Sequence, residues 1–183
     1  NHSHINYYID ITYPKRRHSE AQAVAKQLVA NFKNDTPVDT ILCLDGTEVI
    51  ATCLAEELTR GGHINMNAHQ TIYVMTPEHT VGSQLLLRDN MIPMVEGKHV
   101  LILAASVTTG YTAKRGVSTI AYYGGKLAGV AALYRAVDHV EGNRVCSIFS
   151  MDDLPDEART PEQFVETVAD FFLSLPRAQT AMP

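Results

Sequence analysis

Three threonines, Thr108, Thr109 and Thr112, bracket Gly110 in the run Ser106-Val107-Thr108-Thr109-Gly110-Tyr111-Thr112. Hydroxyls beside a glycine let backbone N–H groups close on an oxyanion. The residues after the glycine read as a helix start, whose positive end faces the same point, so a phosphate group is the natural guest. Taken alone, the run reads better as an ordinary helix start capped by threonine. A second turn of the same kind, Asp45-Gly46-Thr47, comes after another short apolar run. In open α/β sheets ligands bind beyond the carboxyl ends of the strands, which is where both turns would lie.

The elements that must position these turns are legible as an alternation. Strands are expected at 5–11, 38–44, 70–75, 98–104, 126–137 and 144–151. Helices are expected at 19–33 with Ser19 as N-cap, at 48–62 closed by Gly61-Gly62, at 110–125, and at 160–175 with Thr160 at N-cap and Pro161 at N1. Between 76 and 97 there is little periodicity and two prolines, the mark of a functional loop. Apolar strands alternating with amphipathic helices make a parallel sheet covered on both faces. The two turns predict a ligand cleft between the ends of the strands at 38–44 and 98–104.

Composition narrows the function classes. The 183 residues suit a single domain, 1–183, and no apolar run approaches a membrane span, so no membrane partner is expected. A net charge of −5 argues against a nucleic-acid partner, which needs a basic face. The dense basic run is Lys15-Arg16-Arg17, read as a solvated turn rather than a docking patch. Cys43, Cys53 and Cys146 have neither CxxC spacing nor an even count; they read as small core residues of a cytoplasmic protein. Gly124-Gly125-Lys126 falls at a helix end, the wrong place for a Walker motif.

The stretch Val100-Leu101-Ile102-Leu103-Ala104-Ala105-Ser106-Val107-Thr108-Thr109-Gly110-Tyr111-Thr112 resembles the signature of type I phosphoribosyltransferases: four apolar residues, two acids, two small or apolar residues, then Thr-Thr-Gly-x-Thr. Only the acids differ. Residues 5–11, 136–142 (Ala-Val-Asp-His-Val-Glu-Gly) and 145–154 are similar to segments of orotate phosphoribosyltransferases in the same order. The resemblance implies a phosphoribosyltransferase-type, Rossmann-like parallel sheet with helices on both faces and a small hood from about 1–20 and 135–160. It also implies a homodimer whose mobile loop is poorly ordered.

The resemblance further implies a site for phosphoribosyl pyrophosphate, with the 5′-phosphate on Ser106, Val107, Thr108, Thr109, Gly110, Tyr111 and Thr112. The acids that would receive the ribose hydroxyls and help hold magnesium are Ala104 and Ala105. Losing two hydrogen bonds to charged groups costs on the order of 3–6 kcal/mol, roughly a hundred- to ten-thousandfold. A Glu-Asp or Asp-Asp pair at these positions is expected to restore magnesium-linked binding. Asp45, Gly46 and Thr47 correspond to the pyrophosphate loop, where Asp45 and Glu48 add negative charge; Asp45 is the remaining candidate magnesium ligand. The mobile loop, about 76–90, has no lysine and only Arg88. His139 replaces the arginine that would meet the base.

Three readings remain. One is an orotate phosphoribosyltransferase-like enzyme whose transfer of a phosphoribosyl group to a base is weak or lost. Another is a binding or regulatory protein that recognises a ribose phosphate or nucleotide. The third, a relic serving as a dimer interface, has no need of the retained Thr-Thr-Gly-x-Thr.

Overall fold

The computed structural model describes residues 15–31, 37–60, 71–80, 82 and 84–150. The strand expected at 5–11, the helix expected at 160–175, the Gly61-Gly62 stop and the hood segments 1–14 and 151–160 lie outside them. Within them, the elements are α1 His18–Asn31, β1 Thr40–Cys43, α2 Glu48–Arg60, β2 Tyr73–Met75, β3 Glu78–His79, β4 Leu85–Leu86, a 3-10 helix Asp89–Met94, β5 His99–Val107, α3 Tyr111–Tyr122, β6 Lys126–Arg135, β7 His139–Val140 and β8 Asn143–Ser150.

The main sheet has the order β2-β1-β5-β6-β8-β7. Every pairing in it is parallel except that of the edge ribbon β7 with β8. β1 lies beside β5 with Ile41 opposite Leu101 and Cys43 opposite Leu103, so the ends of the two strands stand side by side as expected. The apolar residues alternate to two faces. Ile41, Leu101, Leu103 and Leu133 pack under α1 and α2, against Val24, Leu28, Ile50 and Leu54. Leu42, Val100, Ile102 and Val130 face the other way, with Ile120 of α3, Leu85 and Val95. Helices thus cover both faces. Each large side chain withdrawn from water in this way contributes about 1.5–3 kcal/mol. No helix of the described residues is long and apolar enough to cross a membrane.

Three local differences from the expected elements have physical causes. β5 continues to Val107 because the long β6 supplies partners, Tyr134 for Ser106 and Arg135 for Val107. Ser19 lies inside α1, and its hydroxyl donates to Glu20 at 2.6 Å, so it is not the N-cap. The stretch without periodicity contains a two-stranded antiparallel pair, β3 with β4, too short for alternation to show. One assignment is corrected: residues 143–150, placed with the hood, form β8 inside the main sheet beside β6. Val145 and Phe149 are buried there, which is why the strand joins the sheet.

All three cysteines are free, with Cys43 and Cys53 buried. Burial, seconded by the charge of Glu48, pushes the Cys43 thiol up to about 12. A thiol held neutral in the fold ionises in the unfolded chain, which then binds fewer protons. Stability is therefore full below the ordinary thiol range and falls as pH rises from 9.0 towards about 12. Cys43→Ala should lose less melting temperature than the parent between about pH 8 and pH 11. Parallel pH profiles for the two proteins would contradict this.

Candidate functional site

β1 ends in a turn whose shape is set by two left-handed residues, Asp45 at φ 58° and Gly46 at φ 74°. Thr47 then turns inward. It is wholly buried, and its Oγ1 lies 2.8 Å from the carbonyl oxygen of Leu44 and 3.0 Å from that of Leu103. The hydroxyl is shared between carbonyls of two strands, so it is a tie in the scaffold. The hydroxyl is therefore engaged within the fold, and what Thr47 offers outward is backbone. Asp45 stays exposed, and its Oδ2 accepts the backbone N–H of Ala105 at 3.2 Å.

Ala104 and Ala105 do not line an open cleft. They are 2% and 4% exposed. Ala104 belongs to the packing on the α3 face and Ala105 to that on the α1 and α2 face. A carboxylate at either position would be driven into apolar surroundings, where an unpaired charge is costly. This corrects the expectation that acids placed here would face a ligand. The carboxylate that does reach this strand end is Asp45, from the neighbouring strand.

Beyond the alanines, Ser106 is exposed while Val107 is buried. Both are strand residues, so Val107 contributes no side chain to a phosphate site. The turn proper is Thr108-Thr109-Gly110, with Gly110 at φ 79° preceding α3. α3 has no side-chain cap hydrogen bond at this end. The Tyr111 N–H reaches Thr109 Oγ1 only at 3.4 Å, and the first helical bond runs from the Lys114 N–H to Gly110 at 2.8 Å. The threonines therefore do not cap the helix. The donors of its first turn are the groups a helix leaves without intrahelical partners, and they face the same end as the exposed Thr109 and Thr112.

The segment 136–142 packs onto this turn. A methyl group at Gly110 would lie 3.2 Å from Val140 Cγ2, so glycine is required both by conformation and by space. Glu141 pairs with Lys114 of the first turn of α3 at 3.1 Å. His139 is exposed on β7 opposite Arg144 of β8. Directly opposed residues share a face, so a guanidinium accompanies the histidine. Tyr111, 60% exposed, turns its ring away under the Arg115 guanidinium, 3.9 Å from the ring centre. With Leu85, Leu86, Lys114 and Tyr122 it lines a groove of about 570 Å³ beside α3.

Charge in the expected mobile loop is already committed: the Arg88 guanidinium binds Glu78. Glu48, in the first turn of α2, accepts the Thr76 hydroxyl at 2.9 Å. Sequence reasoning missed Lys114 and Arg144, although Lys114 lies only two residues past Thr112. Among the described residues no three His, Cys, Asp or Glu side chains converge on a metal position.

Ala105→Asp should lower stability on the order of 3 kcal/mol, since the new carboxylate would be buried beside Asp45. Chemical denaturation of variant and parent measures it. A variant as stable as the parent would show that the position opens to solvent.

No protein-family model and no curated protein sequence matches this chain. Solved structures do. The fold is similar to that of orotate phosphoribosyltransferase from Mycobacterium tuberculosis H37Rv, solved with inorganic phosphate, at TM-score 0.56 and 19% identity over 83% of this chain and 82% of that one. The same enzyme with 5-phospho-alpha-D-ribosyl 1-diphosphate gives 0.55 and 18% over 81% and 83%. A phosphoribosyltransferase from Corynebacterium diphtheriae gives 0.53 and 20% over 80% and 84%. UMP synthase from Leishmania donovani gives 0.56 and 16% over 90% of this chain and 35% of that one. With the strand order, the parallel β1–β5 pair and the Thr-Thr-Gly turn before α3, these likenesses establish that the chain has the phosphoribosyltransferase fold, of the kind seen in orotate phosphoribosyltransferase.

Proposed function

We propose that the chain holds a ribose phosphate by its phosphate group at Thr108–Thr112, and that it transfers the phosphoribosyl group to a base weakly or not at all. The observation that carries the first half is the uncapped start of α3 behind the left-handed Gly110. Open N–H donors, threonine hydroxyls and the positive end of a helix suit a phosphate dianion. Structural neighbours solved with inorganic phosphate and with the ribosyl diphosphate support this choice of ligand.

The second half rests on what surrounds that turn. Ribose hydroxyls would meet buried methyl groups at Ala104 and Ala105. Arg88 is bound to Glu78, so little charge remains in that loop to stabilise a departing diphosphate. His139, with Arg144 beside it, is the side from which a base would be met. These features favour the second reading, a binding or regulatory protein for a ribose phosphate or nucleotide, over efficient turnover. Among the described residues, Asp45 is the carboxylate at these strand ends that would be available to a ribose hydroxyl or to magnesium. The three free thiols suit a reducing cytoplasm. A homodimer fits the exposed Tyr73, Leu86 and Tyr122.

Calorimetry with ribose 5-phosphate should show weak binding that magnesium does not change. Phosphoribosyl pyrophosphate should gain no magnesium dependence. Gly110→Ala should weaken ribose 5-phosphate at least about tenfold, because strain and the contact with Val140 both displace the turn. Tight, magnesium-dependent binding of phosphoribosyl pyrophosphate by the parent chain would overturn the reading. Sedimentation at micromolar concentration should give two copies; a monomer would remove the dimer.

A further inference from the structure

The helix that starts behind Gly110 carries its charges the wrong way round. α3 has no acid in its first turn, and Lys114 and Arg115 stand near its start. Cations there oppose the positive end of the helix, where an anion is favoured. Arg115 lies over the Tyr111 ring. Lys114 is met from outside the helix, its Nζ 3.1 Å from Glu141 Oε1. Side chains on a helix lean towards its N-terminus. The Lys114 N–H bonds the Gly110 carbonyl, so the lysine stem runs back over the turn that Gly110 opens.

Glu141 reaches this place at a conformational cost. β7 and β8 pair Val140 with Asn143. Glu141 and Gly142 are left as a two-residue turn with φ of 49° and 75°. Such a turn favours Asn, Asp or Gly at its first position, so glutamate is not there for its backbone. The hairpin is nevertheless fixed. Asn143 Nδ2 donates to the carbonyl oxygens of Val140 and Glu141 at 3.2 and 3.0 Å, and Val140 closes over Gly110. The other acid of 136–142, Asp138, is bound to Arg135. Glu141 is thus the carboxylate that this segment delivers to the start of α3.

We propose that Glu141 is a built-in competitor for the phosphate turn: its carboxylate neutralises Lys114, and an arriving phosphate must draw the ammonium away from it. Both side chains are about half exposed, 59% for Lys114 and 46% for Glu141. An ion pair this open is weak and readily exchanged. A phosphate dianion offers Lys114 two charges where Glu141 offers one, so the exchange runs towards the phosphate. Glu141 then lowers the affinity of the turn without touching the ligand in its absence. The competition rests on the phosphate reading of Thr108–Thr112; the ion pair itself does not.

Calorimetry on the full chain with ribose 5-phosphate as probe tests this. Glu141→Gln should bind about two- to fivefold more tightly than the parent. Glu141→Asn, which suits the left-handed turn, should gain as much, which separates lost charge from a disturbed hairpin. Lys114→Gln should weaken binding by a similar factor. In the Lys114→Gln background the gain from Glu141→Gln should shrink by at least about half, because exchange couples the two residues. A gain undiminished without Lys114 would reduce Glu141 to simple repulsion and overturn the proposal. Unchanged or weaker binding by both Glu141 variants would also overturn it, and would leave the phosphate turn standing if Gly110→Ala still weakens the probe. A gain that depends on Lys114, with no response to Gly110→Ala, would count against the phosphate turn alone.

Discussion

The parallel register of β1 and β5 is the constraint on which the carboxyl end of the sheet depends. It places Cys43 opposite Leu103 and brings the turns after the two strands side by side. Thr47 secures that register with one hydroxyl near two carbonyl oxygens, one from each strand end. Because the hydroxyl is wholly buried, its loss would leave both carbonyls without that donor, at a cost of about 1–3 kcal/mol. The same register aims the Asp45 carboxylate at the Ala105 amide. Acid and amide thus meet through the sheet, not through the sequence.

This register divides the labour between two turns. The one after β5 is shaped by backbone: a left-handed glycine, a helix start without a side-chain cap, and threonine hydroxyls beside it. The one after β1 carries side-chain charge, with Asp45 on the side of β5 and Lys15 and Arg16 over Gly46. Between them lie two alanines that belong to the core. The fold thus sets two turns at the strand ends side by side and fills the strand between them with apolar packing.

Much of this architecture is legible in the residues alone. The alternation of apolar strands with helices predicts the parallel sheet, and the Thr-Thr-Gly turn stands at the end of the expected strand. The burial of Ala104 and Ala105 is not legible, since an alanine is compatible with either a cleft or a core, and only neighbours on both faces decide it. The inward rotamer of Thr47 is not legible, since it answers carbonyls that the sequence does not reveal. Lys15 and Arg16 read as a solvated turn, and Arg16 is exposed; the bond from Lys15 to the Asp45 carbonyl is not legible because that turn is about thirty residues away. Val107 reads as loop because the length of β5 is set by its partner β6, a long-range effect.

The most direct test of the account is where a phosphate group settles on the folded chain. Amide resonances recorded during titration with ribose 5-phosphate would locate it. The account predicts the largest shifts at the amides of Thr108 to Ala113, with Ala104 and the groove residue Leu86 little affected. Shifts centred on the groove beside α3, or none at the Thr108–Ala113 amides at saturating ligand, would contradict it.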